Sequence, residues 1–251
     1  MRPTSGSLGG NGESPQQDLT PLYAAKNNLL SKLPAEELAA LLLLSTHVDC
    51  DLRDVFYANG SKIKNVYFPL TGMISLVTEL KDGTSLESMT VGCEGFAGLP
   101  LFHGVTTART LAMCQIKGAF LRLPAESFTS LLAEAPQLSA LLHRYSQFAH
   151  EAVSQSAACN SMHLIEQRCA RWLLISSDAV DSPEFGLTHE FLSQMLAVRR
   201  PGVTVAIGEL ERAKLIDHRY GKITILDKAG LERAACECYR TVKDRRRELL
   251  S

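Results

Sequence analysis

Residues 187–227 read LTHEFLSQMLAVRRPGVTVAIGELERAKLIDHRYGKITILD. Thr188 is a good helix N-cap, because its hydroxyl can accept from a first-turn N–H. Phe191, Leu192, Met195 and Leu196 then give one buried face to a helix of about eight residues. Ala197-Val198 supplies a turn. A second helix starts at Arg199-Arg200-Pro201 and carries Val203, Ile207, Leu210 and Leu215 at a 3.6-residue period. Pro201 is tolerated there, since first-turn N–H groups have no intrahelical acceptor. Residues 215–226 alternate as a two-stranded hairpin turning at Tyr220-Gly221-Lys222. Helix, tight turn, helix and small hairpin are the plan of a winged helix-turn-helix.

In that plan the N-terminus of the second helix faces base edges in the DNA major groove. Arginine suits the position, because it can donate two parallel hydrogen bonds to guanine or pair with phosphate. The candidate DNA-contacting residues are therefore Thr188, His189, Arg199, Arg200, Gly202, Thr204, Val205 and Lys222. Thr204 can hydrogen-bond a base, and Val205 can touch a thymine methyl. The charge distribution agrees in direction. Residues 184–251 hold 13 Lys and Arg against 10 Asp and Glu, whereas residues 1–183 hold 13 against 17.

Upstream, residues 136–160 read as one long helix. Leu138, Leu141, Tyr145, Phe148, Ala152 and Cys159 follow a three-and-four spacing, widened by Leu142, Ala149 and Ser156. The stripe fits either a helix lying on its own domain's core or an approximate heptad seam pairing with a second subunit. A polar break at Asn160-Ser161 marks the expected domain boundary. Between residues 48 and 123, short β-rich runs are separated by Asn59-Gly60, Thr71-Gly72, Asp82-Gly83 and Gly92. This is the pattern of an antiparallel barrel or jelly roll, with Asn-Gly and Asp-Gly as hairpin signals. Leu19–Leu30 and Pro34–Leu44 read as helices, with Glu36 and Glu37 suiting the latter's dipole. Residues 1–18, rich in Gly, Ser, Pro and Gln, read as a disordered tail without a signal-peptide core.

The chemistry of catalysis is missing. No P-loop, nucleophile elbow, Rossmann fingerprint or clustered His-x-His is present, so the chain is expected not to be an enzyme. No apolar run reaches membrane-spanning length. The seven cysteines fall at 50, 93, 114, 159, 169, 236 and 238, with Cys236-Glu-Cys238 a lone C-x-C. They read as reduced, buried thiols of a cytoplasmic protein, with neither a metal site nor a cofactor expected.

The stretch from Leu187 to Ile216 resembles the DNA-binding helices of the Crp/Fnr family of bacterial transcription regulators. Asn59 to Leu70, Gly72-Met-Ile-Ser-Leu and Gly95 to Phe102 resemble that family's cyclic-nucleotide-binding β-roll, and the helix after Pro136 matches its dimerisation helix. The resemblance implies an α+β chain: a β-roll sensor domain with flanking helices over 19–135, a dimerisation helix over 136–160, and a winged helix-turn-helix over 161–251 with a helical extension. It also implies a homodimer, double-stranded promoter DNA with two-fold symmetry, RNA polymerase and an unidentified small-molecule effector as partners. Pro201 and Val205 replace residues that commonly read bases in the family, so a different target sequence is expected. The nucleotide cassette departs further. Residues 97–102 lack the glutamate that would hold a ribose hydroxyl, and Arg109-Thr110 stands one residue away from the family's phosphate-gripping Arg-Ser. Arg109 and Thr110 are the candidate ligand residues, and tight cyclic AMP binding is not expected. The competing reading is a ligand-binding or protein-interaction module whose helix-turn-helix has decayed.

Overall fold

The computed structural model describes residues 20–250. The segment expected to be a tail, residues 1–18, lies outside the described residues. The helix expected over 19–30 is broken into α1 (Pro21–Ala24) and a 3-10 turn at Leu30–Lys32. Buried Asn27 makes the break. Its Oδ1 accepts from Leu29 N and Leu30 N, while its Nδ2 donates to the carbonyls of Pro69 and Gly95. A side chain that captures backbone groups in this way competes with helix continuation.

Helix α2 (Ala35–Leu44) leads into seven strands: β1 (Thr46–Cys50), β2 (Val55–Tyr57), β3 (Asn65–Pro69), β4 (Met73–Glu79), β5 (Ser85–Val91), β6 (Leu111–Ile116) and β7 (Gly118–Pro124). A short helix, α3 (Leu99–Phe102), interrupts them after β5. The strands form two antiparallel sheets, ordered β1-β7-β3 and β2-β6-β4-β5. Of the expected hairpin signals in this half, Asp82-Gly83 alone joins neighbouring paired strands. The turn closes with Gly83 N donating to Leu80 O, and Gly83 takes positive φ. Asn59-Gly60 and Thr71-Gly72 instead pass the chain from one sheet to the other. The strands they join are not paired with each other, so neither makes a hairpin turn. Gly72 could not be replaced there, because a Cβ would stand 2.5 Å from Ile116 O.

Helix α4 (Ala125–Glu134) and helix α5 (Pro136–Met162) cover the roll. Phe96 is the centre of an aromatic cluster, with Phe68 at 5.4 Å, Tyr145 at 5.3 Å and Phe128 at 5.8 Å between ring centroids. Between its two readings, the α5 stripe is an intrachain core face. Leu138, Leu141, Leu142, Tyr145, Phe148, Ala149, Ala152 and Cys159 are all buried within their own chain. Asn160-Ser161 does not break the helix, which continues to Met162 as Ser161 Oγ bonds Ala157 O. The chain turns at His163-Leu164 instead, where the backbone becomes extended.

Glu37 does not serve its own helix alone. Its carboxylate accepts from Gln137 N at 3.0 Å and Leu138 N at 2.8 Å, capping α5 from outside. Glu37→Ala is expected to cost about 1 kcal/mol, the usual loss for a helix N-cap. Thermal unfolding of the variant beside the parent measures it, and an unchanged midpoint would refute the capping role.

The second half contains α6 (Ile165–Val180), β8 (Glu184–Gly186), α7 (His189–Met195), α8 (Arg200–Arg212), β9 (Ile216–Arg219), β10 (Lys222–Ile225), α9 (Lys228–Ala234) and α10 (Cys238–Leu250). Residues 184–186 form the outer strand of a three-stranded wing ordered β8-β10-β9. The helical extension is split at Ala235-Cys236-Glu237, where Ala235 turns extended and Cys236 becomes buried. After that break α10 packs back along α5, with Arg245 Nε at 2.9 Å from Glu151 Oε2. The two halves meet through β4, whose Met73 and Val77 belong to the apolar core of the second half.

Candidate nucleic-acid interface

The geometry of the helix pair follows from its caps and its turn. Thr188 Oγ1 accepts from Phe191 N at 3.2 Å and starts α7. Phe191, Leu192, Met195 and Leu196 are buried, as their spacing predicts. Ala197 makes the turn with φ +49°, a left-handed conformation that disfavours any side chain. Arg168 of α6 holds this turn, its Nη2 donating to Leu196 O at 2.5 Å. A buried arginine spent on one carbonyl fixes the angle between α6 and the helix pair.

Helix α8 then leaves with Arg199 as N-cap and Pro201 in its first turn. Val203, Ala206, Ile207 and Leu210 face inward, whereas Arg199, Arg200, Pro201, Thr204 and Val205 face solvent. Both guanidinium groups project from the positive end of the helix dipole, which adds to their field. Gly202 is half-buried beside α6, and a Cβ there would stand 3.3 Å from the Ile165 Cδ1 methyl. That methyl ends a flexible side chain, so Gly202→Ala is expected to stabilise by about 0.5–1 kcal/mol through helix propensity. Differential scanning calorimetry decides it, since a lower midpoint would show that the contact cannot relax.

His189 packs against α8 and the wing. Its Nδ1 lies 3.1 Å from Thr204 Oγ1, and its ring stacks on His218 at 4.7 Å. Burial, with His218 and Arg200 nearby, pushes its pKa below the usual histidine range. His189 thus orients Thr204 as a neutral ring and brings no cation to the surface. Thr188 remains exposed beside it.

The wing tip is a two-residue turn, Tyr220-Gly221, between the paired Arg219 and Lys222. Both turn residues have positive φ, +52° and +73°. The Tyr220 side chain is fully exposed, so an aromatic ring stands at the end of the wing. Sequence reading placed the turn here but did not single out the ring. Lys222 is tied to Glu184 at 2.7 Å and Arg219 to Asp217 at 3.0 Å, so neither basic group of the tip is unopposed. The Arg245-Arg246-Arg247 triplet is largely spent likewise: Arg245 bonds Glu151 and Glu248, and Arg247 bonds Asp244.

Residues 167–234 match the Crp-like helix-turn-helix domain. The chain has a Crp-like helix-turn-helix domain on the fold of Crp/Fnr regulators. A CRP-family transcriptional regulator from Thermus thermophilus superposes with a TM-score of 0.63 at 22% identity, covering 74% of this chain and 95% of the other. A c-di-GMP-responsive global regulator from Xanthomonas campestris gives 0.63 at 15% identity, covering 76% and 99%. A Crp/Fnr regulator from Eubacterium rectale gives 0.63 at 15% identity, covering 84% and 98%. No curated protein sequence matches the chain. Among the described residues no helix is long and apolar enough to cross a membrane.

Within this Crp/Fnr fold the candidate ligand pair sits apart from the chain's interdomain cavity. Arg109 is exposed and Thr110 half-buried, at the start of β6. The cavity, of about 90 Å³, lies between β5, α5, α6 and α10, and Glu87, Glu94, Arg171, Trp172, Lys243 and Arg246 line it. Glu87 is a partly buried carboxyl at its wall. Its Oε2 accepts from Ser75 Oγ at 2.6 Å and its Oε1 from Trp172 Nε1 at 3.0 Å. Burial outweighs both bonds and raises its pKa to about 7. This bridge from β5 to α6 joins the two halves, and local sequence gives no sign of it.

Asp178 anchors α9 and α10 to α6. It accepts from Tyr239 Oη at 2.6 Å and pairs with Lys228 at 2.6 Å and Lys243 at 3.3 Å. Burial opposes the charge, but these partners overcome it and hold the carboxyl below its ordinary range.

Proposed function

We propose that this chain is a homodimeric transcription regulator that binds a two-fold-symmetric promoter site through α8 and contacts RNA polymerase. The reading rests above all on the solvent-facing row Arg199, Arg200, Thr204 and Val205 at the start of α8, backed by a fully buried opposite face. A helix of this kind fits the major groove, with the wing and Tyr220 beside it on the phosphate backbone. Thr188 at the start of α7 supplies a further backbone contact.

The dimer contact belongs on the outer face of α5, because the inner face is consumed by the roll and by α10. Ala140, Gln147, Ser154 and Ala157 lie along that outer face, with small residues that permit close approach. A small effector is sensed at the junction of the halves, where the Glu87 bridge and the cavity beside it lie. Selection of DNA from a random pool tests the reading. The expected product is a palindrome whose half-sites lie about one helical turn apart. Weak binding without a consensus at any salt concentration would favour a module whose helix-turn-helix has decayed.

A further inference from the structure

Four side chains from distant parts of the sequence converge where α5 ends. Cys159 lies in the last turn of α5 and His163 caps it; Cys236 and Cys238 bracket the break that begins α10. Their ligand atoms all lie within 4.8 Å of one another. Cys159 Sγ is 3.5 Å from Cys236 Sγ, and Cys238 Sγ is 3.5 Å from His163 Nδ1. The expectation of dispersed thiols fails here, because three of the seven cysteines meet in one cluster. Cys50, Cys93 and Cys169 lie apart from it, and burial raises their pKa values to about 12.

We propose that Cys159, His163, Cys236 and Cys238 form a closed, tetrahedral site for one zinc ion. Zinc binds thiolate sulfur at about 2.3 Å and imidazole nitrogen at about 2.0–2.1 Å. A tetrahedron with those bonds separates sulfurs by about 3.8 Å and sulfur from nitrogen by about 3.6 Å. The two measured 3.5 Å separations are already close to those edges. The whole set also lies near the span of about 4.6 Å that two bonds to one ion allow, which is too tight for ligands divided among the irons of a cluster.

The surroundings are those of a ligand set. Nδ1 of His163 points at the sulfurs, while its Nε2 lies 3.3 Å from Glu237 Oε1. A carboxylate on the far nitrogen fixes the tautomer and ring orientation that a metal-bound histidine needs. Gln155 Nε2 donates to Cys238 Sγ at 3.0 Å, a bond that favours thiolate. Three thiolates and a neutral imidazole around a divalent ion carry a net charge of about −1, and Arg171 of α6 stands nearby as a counter-charge. The ion would clamp the end of α5 to the α9–α10 link, across the turn at His163-Leu164. That clamp needs no assumption about DNA.

Cobalt titration of the reduced full-length protein tests the proposal. The expected result is saturation at one equivalent with the intense visible absorption of tetrahedral thiolate-ligated cobalt, abolished by one equivalent of zinc. Cys236→Ser and His163→Ala should each weaken binding by about 100-fold or more, and Glu237→Gln by about 10-fold. Cys169→Ser, outside the cluster, should leave the titration unchanged. A weak, pale octahedral spectrum for the parent protein would overturn the site. So would tight binding that survives Cys236→Ser, because the ion would then sit elsewhere. Glu237 is exposed, so its variant folds whatever the fate of the cysteine changes.

Discussion

The double variant Arg199→Ala/Arg200→Ala is expected to lose at least about 100-fold in affinity for the selected palindrome. One bidentate arginine contact to guanine carries about 1–3 kcal/mol of discrimination, and the proposed dimer would present two such residues to the groove from each subunit. Most neighbouring basic groups already face acidic partners. Lys222 and Arg219 are held by Glu184 and Asp217, and Arg245 and Arg247 by acids of α5 and α10. A salt series separates the roles of the two arginines. Removing a residue that reads a base lowers affinity for the palindrome while leaving the salt slope nearly intact. Removing a phosphate contact instead reduces the slope by about 0.9 per residue. Equal binding of palindrome and random DNA by the parent protein, or an unaltered affinity in the double variant, would sink the assignment of α8 as the reading helix.

The contribution of Glu87 to stability should fall by about 3 kcal/mol as pH rises from about 4 to 8, read as the difference between the parent protein and Glu87→Gln. The folded pKa of Glu87 is raised from 4.5 to about 7, so between those values the folded chain holds a proton that the unfolded chain has released. Folding therefore weakens with rising pH. The contribution is complete below about 4.5 and is lost as pH passes through about 7. The bridge accepts from Ser75 of the roll and from Trp172 of α6, so its ionisation loads the contact between the two halves. Trp172 is the chain's single tryptophan. Its fluorescence should titrate near pH 7 in the parent protein and stay flat in Glu87→Gln. A parent protein whose fluorescence and stability are both level across this range would show that Glu87 ionises normally.

Local chemistry carried the helix-turn-helix on its own. Thr188, the buried face of Phe191, Leu192, Met195 and Leu196, and the period of Val203, Ile207 and Leu210 are short-range features, and each specifies its own element. The Tyr220-Gly221 turn and six of the seven strands of the roll were legible for the same reason. Strand β1 was missed, since Thr46–Cys50 carries polar residues at an edge where only β7 pairs with it.

Partners distant in sequence were not legible, because periodicity states which face of an element is apolar and never what covers it. The α5 stripe fitted either its own core or a second subunit, and the tertiary structure gave it to the roll and to α10. Glu37 looked like part of its own helix, yet it caps one that starts far along the chain, at Pro136. Cys159 and His163 stand far in sequence from Cys236 and Cys238, a spacing that matches no short motif. The break at residues 235–237 turns the C-x-C towards the end of α5 and makes four scattered ligands one cluster. The sequence determined the elements and the exposed arginine pair by local rules of helix, cap and turn. Packing of α10 against α5, and of β5 against α6, decided the seam, the Glu87 bridge and the cysteine–histidine site, because each is a meeting of side chains that only the folded chain brings within bonding distance.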